Sequence, residues 1–260
     1  MVGLHFNKGL ETLREIFSNN LSAVLIAEEI QICSLIDDAR EIKIIMEKFD
    51  FDYYGVEKNG KVVGYIIQSE LGEGLISNYI RPFLTEDLIS ESTSLIELLK
   101  ILKEKDPIFV LEKNQVRKLI TIADLQKQPI RMLVFGLVSL LEMRLLELIK
   151  EYYPNKDEWK GLINKSRLKK ANEVYEIRKG KNEGLGLIDC LQLSDKGTII
   201  KKTPKLLGAL GFHSIGEVNV FFSSIEDLRN NTAHSQKYVY QDFNEFLDKI
   251  SRIEEILTLI

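Results

Sequence analysis

The sequence predicts an α+β chain, with a tandem α/β repeat in its first half and an all-α bundle in its second. Three observations carry this. Residues 34–71 recur in pattern at 88–125, an offset of 54 positions. After Pro129 the apolar spacing becomes helical, with side chains recurring every three or four residues. The charge shifts as well: residues 1–130 hold 15 basic and 21 acidic side chains, and residues 131–260 hold 20 and 18.

The two copies are SLIDDAREIKIIMEKFDFDYYGVEKNGKVVGYIIQSEL and LISESTSLIELLKILKEKDPIFVLEKNQVRKLITIADL, and each reads strand, helix, strand, turn, strand. Ile42, Ile45, Met46 and Phe49 fall on one helical face of the first copy, matched by Ile96, Leu99 and Leu102 in the second. Asp37 or Asp38, and Ser92 or Ser94, are natural N-caps, because a short side-chain oxygen can accept from free N–H groups of the first turn. Asn59-Gly60 and Lys113-Asn114 stand between β-rich runs. Asn-Gly in that place is a strong hairpin signal. Further helices are expected before each copy, over residues 10–19 and 74–81.

This pattern, over about residues 8–128, resembles a tandem pair of CBS (cystathionine β-synthase) domains. The resemblance implies two α/β repeats packed pseudo-symmetrically, with clefts that commonly bind adenine nucleotides. The family's nucleotide motif is Gly, apolar, any residue, Thr, two residues, Asp. The second copy ends LITIADL, so Thr121 and Asp124 match and are the expected nucleotide-binding residues. A carboxylate can accept from two ribose hydroxyls, and a hydroxyl can donate to a phosphate or ribose oxygen. The motif glycine is Lys118 here, and the first copy keeps Gly64 but has Ile67 and Glu70 at the Thr and Asp positions. The resemblance thus implies one competent site and one degenerate one. Capping of a helix that begins near Ala123 would use the same two residues.

The second half, residues 130–260, reads as four or five helices. RMLVFGLVSLLEMRLLELIKEYY puts Leu133, Leu137, Leu140, Leu141, Leu145 and Leu148 on a broad face. Next comes DEWKGLINKSRLKKANEVYEIRKG, with Asp157 as N-cap and Gly180 as stop. Helical stretches follow at 187–195 and 201–210. EVNVFFSSIEDLRNN then aligns Val218, Phe221, Phe222, Ile225 and Leu228. The last helix, DFNEFLDKISRIEEILTLI, aligns Phe243, Phe246, Leu247, Ile250, Ile253, Ile256 and Leu257.

Near the end of the penultimate long helix stands DLRNNTAHS. Arg229, a polar Asn230, and His234 five residues after the arginine match the R-x4–6-H signature of the HEPN (higher eukaryotes and prokaryotes nucleotide-binding) superfamily. Motif, bundle and position together carry the likeness, over about residues 131–260. It implies a metal-independent ribonuclease whose composite site forms across a homodimer. The implied catalytic residues are Arg229, Asn230 and His234, with no catalytic cofactor and no metal ligands. The residue types suit that chemistry. A histidine moves protons near neutral pH, and an arginine holds phosphate bidentately. On a straight helix residues five apart differ in direction by about 140°, so a helix end or bend at Asn230-Asn231 is expected to bring the two together. A surface cap accounts for Arg229 and His234 otherwise, since a histidine near a helix C-terminus interacts well with the dipole. Glu142 and Arg144 read either as solvent-exposed or as neighbours of the site. Some HEPN toxins carry a modified Tyr two residues after the His; here that position is Gln236, with Tyr238 beyond it, so that regulation is not carried over.

Composition bounds the rest. Net charge is −4 over 260 residues, yet residues 160–205 hold 12 basic and 5 acidic side chains. That stretch could track an RNA backbone, and a solvated helix face accounts for it equally well. Two cysteines, Cys33 and Cys190, with three histidines, read as buried thiols in a reducing compartment and make a structural zinc site very improbable. Trp159 reads as a core or edge anchor of the second bundle helix, with base stacking as the alternative, and His5 and His213 read as loop residues. The N-terminus lacks a signal-peptide pattern, and residues 132–141 are too short an apolar run to span a bilayer. The expectation is a cytoplasmic homodimer that cuts RNA and senses an adenine-type nucleotide, without a membrane. The rivals are a catalytically silent HEPN docking module with a ligand-binding CBS pair, and a HEPN toxin controlled by a protein partner.

Overall fold

The computed structural model describes residue 15 and residues 20–155, 157–181, 185–234 and 238–260. The helix expected over 10–19, Glu15 aside, and His5 and Gln236 lie outside the described residues. The chain divides into compact units, one spanning Ser18–Pro129 and the other containing Ile130–Ile260.

The first unit holds two four-stranded sheets built on one plan. In the first copy β2 (Ile32–Ser34) leads to α1 (Ala39–Phe49), then the hairpin β3 (Tyr53–Lys58) and β4 (Lys61–Ile67). In the second, β6 (Leu88–Ser90) leads to α2 (Leu95–Glu104), then β7 (Ile108–Glu112) and β8 (Gln115–Ile120). Each opening strand pairs parallel to the next, as a strand–helix–strand crossover requires. The copies also exchange strands. β1 (Glu28–Glu29), ahead of the first copy, pairs with β8, and β5 (Arg81–Pro82), ahead of the second, pairs with β4. Between the sheets Phe109 packs on Tyr65 and Phe83, with ring centroids 4.7 and 4.8 Å apart.

The structure refines the repeat. The hairpins keep the 54-residue offset, each with a bulge, at Val56/Glu57 and Val110/Leu111. The helices begin 56 residues apart, because α1 closes through Asp50 in the left-handed conformation (φ 58) while α2 ends on extended Lys105. Both hairpin turns have two successive positive-φ residues, Asn59-Gly60 and Lys113-Asn114, as the type I′ geometry demands. Asp38 and Ser94 are the caps of α1 and α2. Asp37 instead accepts from Ser34 N–H at 2.7 Å.

Two expectations fail here. Residues 74–81 form a short 3-10 turn, Ile76–Asn78, leading into β5, because Gly74 sits at φ +101 and Pro82 follows. On α1 the buried residues are Ala39 and Met46, with Ile42 packed against the core; Ile45 and Phe49 face out, 40% and 58% exposed.

The second unit holds α3 (Gln128–Tyr152), α4 (Lys165–Lys179), α5 (Leu193–Lys201), α6 (Pro204–Ala209), α7 (Ile215–Ala233) and α8 (Phe243–Leu259). These are more helices than the four or five expected. Pro204 divides the segment differently from the sequence reading, since proline opens a helix easily but cannot continue one. Asn164 caps α4, accepting from Arg167 N–H at 2.9 Å, while Asp157 precedes only a 3-10 turn that buries Trp159. The apolar faces of α3, α7 and α8 are buried as their spacing implies, although Leu148, Phe243 and Leu257 stand at the half-buried edge. Among the described residues no helix is long and apolar enough to cross a membrane.

Candidate functional site

Thr121 and Asp124 sit where β8 runs into a 3-10 turn, Ile122–Gln126. The buried Asp124 carboxylate is engaged on both oxygens. Oδ2 accepts from the Thr121 N–H at 2.7 Å and from its hydroxyl at 3.2 Å. Oδ1 pairs with Lys127 Nζ at 2.7 Å. Lys127 also donates to the Ile26 carbonyl at 2.6 Å and reaches Glu28. Burial works against its charge, but bonds to Asp124 and Glu28 outweigh that and hold the ammonium above its ordinary value. Nearby, desolvation raises the Asp106 carboxyl, helped by the charges of Asp124 and Asp52. In the order found, these residues cap a turn. A ribose hydroxyl would compete for Asp124 Oδ1 with Lys127, which is one-third exposed.

Arg229, Asn230 and His234 stand at the C-terminal end of α7, all three exposed. The expected bend at Asn230-Asn231 is absent. α7 continues to Ala233, neither asparagine takes a positive φ, and His234 is the first extended residue (φ −109, ψ 106). The reason lies on the opposite face. Leu228 and Thr232, four apart, are both buried, and the Thr232 hydroxyl donates to the carbonyls of Leu228 (3.1 Å) and Arg229 (2.9 Å). The helix end is held from α3, where buried Arg131 donates to the carbonyls of Asn231 at 2.8 Å and His234 at 3.3 Å. A guanidinium is well suited there, because the last carbonyls of a helix lack partners and carry partial negative charge. Among the described residues no hydrogen bond joins the Arg229 and His234 side chains. At His234 the chain leaves the helix through an extended cap rather than a bend.

Arg229 meets the first bundle helix instead. Its Nη2 lies 3.9 Å from Glu142 Oε2. The other oxygen of Glu142 lies 3.6 Å from Nζ of Lys196, whose side chain is 8% exposed. Burial pushes the Lys196 ammonium below its ordinary value; Glu142 opposes this and the like charge of Arg229 adds to it. Glu142 is thus neither solvent-exposed nor isolated. Arg144 pairs with Glu147 at 3.0 Å and reaches the Ile260 carbonyl.

Sequence reading missed Lys196 and Arg131. A lysine in LSDKGTIIKK reads as surface. The available signal was that α5 is apolar around it, with Leu193, Ile199 and Ile200 all buried. The basic stretch is also smaller as a track than its count. Lys196 is buried, and Arg167 turns inward to Asp195 (2.7 Å), Gln192 and Ser194 (2.8 Å each).

No family model matches the chain, and no curated protein matches it. Among solved structures, the N-terminal part is similar to CBS-domain pair proteins, which cover about 40–45% of the chain. A hemolysin-like protein containing a CBS domain, from Oenococcus oeni, is 10% identical with a TM-score of 0.35, over 45% of this chain and 94% of that one. The CBS domains of a transcriptional regulator from Streptococcus pneumoniae are 16% identical with a TM-score of 0.35, over 40% and 95%. A CBS-pair protein from Arabidopsis thaliana, in complex with AMP, is 9% identical with a TM-score of 0.34, over 40% and 92%.

Proposed function

We propose that the chain is a nucleotide-regulated RNA endonuclease that works without a metal, as a homodimer whose composite site uses Arg229, Asn230 and His234. The observation that carries this is the last turn of α7. It presents an exposed arginine and an exposed histidine on a helix end that Arg131 holds from behind. His234 would take the proton of a ribose 2′-hydroxyl or give one to the leaving 5′-oxygen. Arg229 would hold the phosphate and stabilise its added charge. Asn230 would orient the phosphate or the histidine. The products would be a 2′,3′-cyclic phosphate and a 5′-hydroxyl.

The α/β pair is the regulatory half of the proposal. An adenine-type nucleotide would bind through Thr121 and Asp124. Lys127, displaced from Asp124, would turn its ammonium to the phosphate and offset the negative charges of Asp52 and Asp106. Binding would act on cleavage only through different affinities for the active and inactive arrangements. The internal bonds of Asp124 favour a second reading, in which the pair is structural and the bundle answers to a protein partner.

The test is cleavage of RNA by the full chain, with chelator present, with and without AMP, ATP and cyclic dinucleotides. His234→Ala is expected to lower the rate by about 100-fold or more, the usual range for loss of a general acid or base. RNA left intact by the wild-type chain under all conditions contradicts the proposal. Calorimetry on the full chain with the same nucleotides separates the two readings, since absence of heat favours the second.

A further inference from the structure

Three helices meet at Glu142, and the two cations around it are not equal. Lys196 on α5 is 8% exposed at its side chain, while Arg229 on α7 is 45% exposed. The depth of Lys196 is fixed by its neighbour Gly197. A Cβ there would lie 2.7 Å from Phe222 Cγ, so the α5 backbone runs directly against an α7 ring. A buried ammonium must keep a counter-charge, because it has lost its water; an exposed guanidinium has not. Lys196 therefore has the stronger claim on the carboxylate. Glu142 stands 3.6 Å from Lys196 and only at 3.9 Å from Arg229, short of the bidentate pair that a free glutamate and an arginine would make.

We propose that Lys196 is a positioning residue: by holding Glu142, it leaves the Arg229 guanidinium steered by the carboxylate but open to a phosphate. This rests on the reading of Arg229 as a phosphate clamp. It extends that reading to residues outside the R-x4–6-H motif, and it assigns a task to a lysine that sequence alone places on the surface.

Removing the charge of Lys196 frees Glu142 to close on Arg229; removing both charges together opens Arg229 again. The experiment compares wild type, Lys196→Met, Glu142→Gln and the double variant Lys196→Met/Glu142→Gln as full chains. The direct readout is the rate at which phenylglyoxal modifies Arg229, read by peptide mass. Lys196→Met should slow it severalfold, and the double variant should return it to the wild-type rate or above. In RNA cleavage, Lys196→Met should raise KM about tenfold, the factor that goes with one charge-assisted hydrogen bond, while kcat changes less. The double variant should recover part of the loss, which a merely structural role for Lys196 would not permit. Equal Arg229 reactivity in wild type and Lys196→Met overturns the proposal, as does a double variant as slow as the single one. Should Lys196→Met fail to fold, Glu142→Gln decides: Arg229 must react faster than in wild type, and an unchanged rate overturns the proposal. Wild-type chain that leaves RNA intact overturns the endonuclease reading, while the Arg229 rates still decide the positioning.

Discussion

Asp124 and Glu142 are both carboxylates at the edge of a core, each beside a lysine, yet they are used in opposite ways. Asp124 is engaged on both oxygens. A backbone N–H and a hydroxyl occupy one oxygen, and Lys127 occupies the other at 2.7 Å. Glu142 is shared between two cations at 3.6 and 3.9 Å, and both contacts are loose. A carboxylate engaged on both oxygens holds a turn, and a ligand must compete with the partners it already has. A shared one leaves a cation unsatisfied at the surface. On the proposed reading, the nucleotide site of the α/β unit is contested by Lys127, and the phosphate site of the helical unit is open.

This contrast can be broken or sharpened by substitution. Arg229→Ala should cost cleavage about 100-fold or more, the scale of losing a donor aimed at transition-state charge, with little change in melting temperature because the side chain is exposed. Asp124→Ala should do the reverse. It leaves the Thr121 N–H without its acceptor and takes from the partly buried Lys127 one of its three partners, and thermal or urea unfolding should show a loss of about 1–3 kcal/mol. If Asp124→Ala melts like wild type, the bonds drawn to it are not holding the turn. Gly197→Ala drives a methyl into Phe222, and overpacking of this kind costs about 1–3 kcal/mol in the same measurement. It should also disturb Arg229 reactivity, because it moves Lys196. Thr121→Val removes only the hydroxyl and keeps the backbone bond, so about 1 kcal/mol or less is expected.

A further effect concerns pH. Burial, with the charge of Asp37, pushes the Cys33 thiol up to about 12 from 9.0. A raised thiol pKa contributes stability that is complete below the unfolded value and is lost as pH climbs through the folded one. Unfolding monitored between pH 9 and 12 should show that decline. Iodoacetamide at pH 9 should leave Cys33 unmodified in the folded chain and alkylate it in urea. Rapid alkylation of the folded chain would show that the thiol is not buried as described.

How much of this could be read from the sequence depended on how local each cause is. The hairpin turns were legible because Asn-Gly and its counterpart, Lys113-Asn114, announce two positive-φ positions within two residues. The α7 and α8 faces were legible because a period of three to four is a one-dimensional signal. The strand exchange that sends β1 and β5 to the other copy's sheet was not, because a two-residue strand has no period. The error at Asn230-Asn231 came from weighing asparagine's turn preference above the pull of two buried neighbours, Leu228 and Thr232, and of Arg131 from another helix. Arg229, Asn230 and His234 were named from the motif. Glu142 entered only as one of two readings, and Lys196 not at all, because their meeting is a matter of α3, α5 and α7 packing together.

The central claim is cleavage of RNA at the end of α7 by proton transfer and phosphate holding. The most direct measurement is the chemistry of the ends produced when the full chain is incubated with RNA in chelator, read by mass spectrometry beside His234→Ala. The account predicts 2′,3′-cyclic phosphate and 5′-hydroxyl ends from the wild-type chain and their loss in the variant. Intact RNA, or the same ends at the same rate from His234→Ala, would contradict it.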